Sequence, residues 1–139
     1  IIDETDNSEY FLYKFNISNE DKKRIRFLQN VFSKPLDRKT FSEKNLWKML
    51  YYNNKNYLND LINFQIYRSK KIDKKLIKLK EFFSNQLPPK FNVKAKFLME
   101  KFNLKEGKEL GQKIKEIEIA WIDNSFTITD KQIEKIING

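Results

Sequence analysis

The sequence predicts an all-α fold, and three observations carry that prediction. Only 3 Gly and 3 Pro occur in 139 residues, too few for the many turns of a sandwich or barrel. Apolar residues recur at helical spacing along most of the chain. Ser18, Thr40 and Thr129 each stand before such a stretch, with Asp21, Glu43 or Gln132 three positions on, the pattern of a capped helix start. Hydrophobic residues make up 40% and aromatics 14%, enough for a core despite 34% charge. The expected architecture is six or seven short antiparallel helices in two stacked lobes. Residues 1–87 form a body and 88–139 a tail, hinged near Pro88-Pro89.

Element by element, residues 1–8 are polar and read as a frayed end, and residues 9–16 finish a helix begun upstream. Ser18 caps a helix near 19–33, with Ile25, Leu28, Val31 and Phe32 on its apolar side and Lys34-Pro35 ending it. Thr40 and Glu43 make a capping box for a helix near 41–53, burying Phe41, Leu46, Met49 and Leu50. Asn53-Asn54 breaks the chain. Leu58, Leu61, Ile62 and Ile66 stripe the next helix, near 56–69. Further helices are expected near 72–86, 94–102, 107–123 and 130–137, the last opened by a Thr129–Gln132 capping box.

Composition excludes several chemistries. Cysteine and histidine are absent, so there is no disulfide, no Cys/His zinc site, no Ser-His-Asp nucleophile and no histidine base. No apolar run nears the ~18 residues of a membrane helix, and no signal peptide is recognisable. These features, with the lack of cysteine, lead to an expected cytoplasmic location. The chain begins Ile1-Ile2, so a piece of a longer protein is expected.

The net charge of +9 is unevenly spread. Residues 1–36 hold 6 acids and 6 bases, residues 37–105 hold 6 acids and 17 bases, and residues 106–139 hold 7 acids and 5 bases. A concentrated basic stretch is a footprint for a polyanion, nucleic acid first and membrane surface second; the alternative is a solvated lysine face. Of the 28 bases, 24 are Lys, which favours phosphate attraction over bidentate base reading.

Two helices carry most of this reading. Near 72–86, Ile72, Leu76, Leu79 and Phe83 fall in an arc of roughly 60° at about 100° per residue. Lys70, Lys71, Lys74, Lys75 and Lys78 then form an outward ladder with three i,i+4 like-charge pairs, and self-repulsion left in place points to an anionic partner. Near 107–123, Leu110, Ile114, Ile117 and Trp121 make one narrow ridge. Trp121 at its end reads as core rather than as a base-stacking platform, as do Phe82-Phe83, Tyr51-Tyr52 and Phe91. Gly107 and Gly111 have no P-loop context, and Gly111 is expected to admit a neighbouring helix or a nucleic-acid backbone.

Residues 88–126 resemble the C-terminal tail of bacterial tRNA nucleotidyltransferases, the CCA-adding enzyme and poly(A) polymerase family. Pro89, Phe91, Leu98-Met99, Gly107, Leu110, Gly111, Trp121-Ile122 and Phe126 follow in the family's order. Residues 18–69 are similar to the preceding helical body, with weaker motifs. Ala95, Phe97 and Lys108 stand where the family has Gly, Asp and Pro, so the roles of those residues do not carry over. The resemblance implies a parent enzyme that adds CCA, or A, to tRNA 3′ ends, with Mg²⁺ and CTP or ATP held by a catalytic head absent from this chain. No Asp-x-Asp pair occurs here, so neither catalysis nor a cofactor is expected of this chain alone. The implied partner is tRNA, not a membrane, and the chain is expected to be a monomer or weak homodimer. Lys70, Lys71, Lys74, Lys75, Lys78, Lys90, Lys94 and Lys96 are the expected RNA contacts. Rival readings are a helical RNA-binding domain of another processing enzyme and a helical protein-interaction module.

Overall fold

The computed structural model describes residues 13–36 and 39–139. The expected frayed end at 1–8, and the start of the segment at 9–16, lie outside them. The described residues are all-helical, with seven helices and no strand. They are α1 (Asn19–Phe32), α2 (Glu43–Tyr52), α3 (Lys55–Arg68), α4 (Lys74–Ser84), α5 (Ala95–Phe102), α6 (Lys108–Asp123) and α7 (Asp130–Asn138). The chain divides into two compact units, one ending at Pro88 and the other spanning Pro89–Gly139.

In the first unit α3 packs against α1, α2 and α4. That centrality explains why its apolar residues are spread more widely around it than on the other helices. Leu58, Leu61 and Ile62 are fully buried, and join Leu46 and Leu50 of α2 and Phe83 of α4 in one core. Removing each such side chain from water contributes about 1.5–3 kcal/mol. Rings lock the neighbours: Phe27 meets Tyr57 edge-on at 5.0 Å, and Trp47 meets Phe83 at 5.2 Å. A two-point ion pair adds direction. Arg24 Nε and Nη2 donate to the two Asp60 carboxylate oxygens at 2.6 and 2.7 Å, tying α1 to α3. That hydrogen bond raises the Arg24 pKa above its already high ordinary value, which favours the charged guanidinium.

In the second unit α6 packs against α5 and α7 around Leu98, Leu110, Ile117 and Ile133. Trp121 is only 7% exposed, between Phe91 at 5.3 Å and Phe126 at 5.0 Å. Phe126 reaches that position through a left-handed backbone (φ 62°), fixed by its N–H donating to the Trp121 carbonyl. Lys113 Nζ donates to the Ile136 carbonyl at 2.8 Å, a cation at the negative end of α7.

Three local expectations change. The cap of α2 is Ser42, not Thr40: its Oγ accepts from Asn45 N, while residues 39–42 form a turn that keeps Thr40 out of the helix. The fourth helix starts at Lys74, because the Asp73 carboxylate accepts from the Lys75 and Leu76 amides and stops the helix from extending backward. Ile72 therefore leaves the apolar ridge and is 84% exposed. No neighbouring helix approaches Gly111: a Cβ there would meet nothing within 4 Å. Gly107, by contrast, caps α6 at φ 155°, a conformation L residues rarely take.

Candidate nucleic-acid interface

The eight lysines fall into two sets. Lys70, Lys71, Lys74, Lys75 and Lys78 belong to the first unit, and Lys90, Lys94 and Lys96 to the second. All eight are exposed. The first set is not one helical ladder. Lys70 and Lys71 lie in the irregular link after α3, Lys74 and Lys75 in the first turn of α4, and Lys78 one turn on. Of the three expected i,i+4 pairs, only Lys74–Lys78 lies within a helix. The self-repulsion along α4 is thus smaller than the sequence pattern implies.

Other electrostatic features still concentrate positive potential there. Among the described residues none of the five has a carboxylate within 4 Å. Asp73, the nearest acid in sequence, faces the backbone amides it caps. The first turn of α4 contains no acid, whereas those of α1, α2, α6 and α7 each do. Two lysines thus sit at the positive end of the helix dipole, where cations are disfavoured. The Asp73 carboxylate already caps that helix end, so an anion placed against the lysines relieves chiefly their mutual repulsion. Residues 69–75 line an open concavity of about 690 Å³.

The second set is less concentrated. Lys90 lies in the extended segment before α5, and Lys94 holds the N-cap position of α5 without a side-chain cap bond. Lys96 Nζ is 3.9 Å from Glu100, a solvated i,i+4 pair.

Sequence reasoning missed Tyr67, which is 85% exposed on the last turn of α3. The signal was present: at about 100° per residue it lies opposite the buried Leu58. The expected core aromatics divide. Trp121 and Phe83 are buried, Phe91 and Tyr51 half-buried, and Tyr52 and Phe82 exposed.

Among the described residues no three acidic side chains gather to hold a metal, and no helix is long and apolar enough to cross a membrane. Of the residues that carry the family resemblance, Leu98, Leu110, Trp121 and Ile122 are buried, and Phe91 lies against Trp121. Comparison with protein-family models, curated proteins and solved structures finds no match for the chain.

Proposed function

We propose that this chain is a helical RNA-binding module that grips phosphates through the lysines around the start of α4, with tRNA the RNA to test first. One observation carries the reading. Five exposed lysines between residues 70 and 78, with no carboxylate within 4 Å among the described residues, cluster around the start of α4. Such an arrangement recognises charge and shape rather than base identity. The choice of tRNA, and of a parent enzyme that extends tRNA 3′ ends, rests on the resemblance of residues 88–126 alone. The lysine surface itself specifies only a polyanion.

Filter binding across a salt series tests it, with wild type and a Lys74→Gln/Lys78→Gln double mutant on two unrelated tRNAs. Two lost phosphate contacts flatten the log–log salt slope by about 1.4–1.8 units, at ~0.7–0.9 per phosphate. The loss is equal for both tRNAs, because ammonium groups do not read sequence. An unchanged slope with intact binding moves the RNA to Lys90, Lys94 and Lys96. No binding at low salt leaves the lysines as a solvated face.

A further inference from the structure

We propose that residues 69–75 take an unpaired RNA strand rather than a duplex, with Ile72 against a base and the flanking lysines on its phosphates. This rests on the RNA-binding reading and specifies its ligand. Ile72 is the middle residue of the concave segment and 84% exposed. Lys70 and Lys71 precede it, and Lys74 and Lys75 follow. Asp73 Oδ1 accepts from the Lys75 and Leu76 amides, and among the described residues no lysine Nζ lies within 4 Å of its carboxylate. The same bonds occupy amides at the start of α4, so the anion is held by side chains and not by that helix end.

The apolar residue decides between the two forms of RNA. A duplex offers phosphates and 2′-hydroxyls and keeps its base faces stacked inside, so it has nothing for an isoleucine to cover. An unpaired strand turns out base faces that an apolar side chain can shield from water, while its phosphates remain available to lysines on either side. Pure phosphate attraction does not require Ile72 at all. The segment is shallow and open to solvent, so a strand can lie along it.

The test is fluorescence anisotropy of the full chain with a labelled single-stranded oligoribonucleotide and with the duplex of the same sequence. A third arm uses vesicles of phosphatidylserine in phosphatidylcholine. Wild type, Ile72→Ser, Ile72→Leu and Lys74→Gln are compared, with circular dichroism checking the fold. The single strand binds more tightly than the duplex, and Ile72→Ser weakens it about three- to tenfold while leaving the duplex unchanged. Ile72→Leu restores it, and Lys74→Gln weakens both RNAs. Equal affinity for the two RNAs with a silent Ile72 overturns the proposal and leaves RNA binding standing. Absence of binding to either RNA overturns both. Binding to vesicles that depends on Ile72, with no preference for the single strand, also overturns it and makes the segment a membrane contact.

Discussion

Trp121 sits between Phe91 and Phe126 and closes the ridge of α6, so truncating it removes one ring and two ring contacts. Trp121→Ala lowers stability by about 3–5 kcal/mol, read from a urea titration, as for other buried aromatics. Lys74→Ala leaves the same midpoint unchanged, since that side chain is exposed and touches no acid. The two glycines of α6 behave oppositely. A methyl group at Gly111 meets nothing within 4 Å, and glycine inside a helix is costly. Gly111→Ala therefore stabilises by about 0.5–1 kcal/mol. Gly107→Ala destabilises, because its φ of 155° suits only a residue without Cβ. Thermal melts of both variants check the pair, and a lower Tm for Gly111→Ala would mean that the open space is filled in solution.

At the level of elements, α4 shows how one side chain sets both a boundary and a field. Asp73 ends the link and begins the helix, and it is the only acid between Arg68 and Lys80. Asparagine caps as well as aspartate, so Asp73→Asn holds stability within about 0.5 kcal/mol. It also removes the single negative charge among the lysines, so tRNA binding tightens at low salt and less so at high salt. Asp73→Ala separates the two effects, losing about 1 kcal/mol of stability while making the same change in charge. Equal affinity of wild type and Asp73→Asn at low salt would place the polyanion away from α4.

For the whole molecule, each unit has its own core, and the charge is divided between them. Residues 1–88 hold 18 bases and 11 acids, and residues 89–139 hold 10 bases and 8 acids. The binding surface is therefore expected on the first unit. Lysine-reactivity footprinting with tRNA should protect Lys70 to Lys78 more than Lys108 to Lys135. In the proposed tRNA reading this chain binds and does not catalyse. Incubated with tRNA, Mg²⁺, CTP and ATP, it leaves the 3′ end unextended, and extension above a buffer control would place an active site within these residues.

Legible in the residues alone were the helical class, the spans of seven helices to within about two residues at each end, the Thr129–Gln132 cap and the burial of Leu46, Leu58, Leu110 and Trp121. Those features are local: they follow from a period of 3.6 residues and from side chains that reach their own backbone. The cap of α2, the start of α4 and the exposure of Ile72 emerge only in the folded chain. Thr40 and Ser42 both stand where a cap for α2 could form, and the turn at residues 39–42 leaves Ser42 at the helix start. Likewise Ile72 matches the apolar period of α4, yet a cap at Asp73 puts it outside the helix. Only packing reveals that α3 is enclosed by three neighbours, and that Arg24 and Asp60, 36 residues apart, meet. No local pattern encodes such a meeting, because it depends on how two separately formed helices cross.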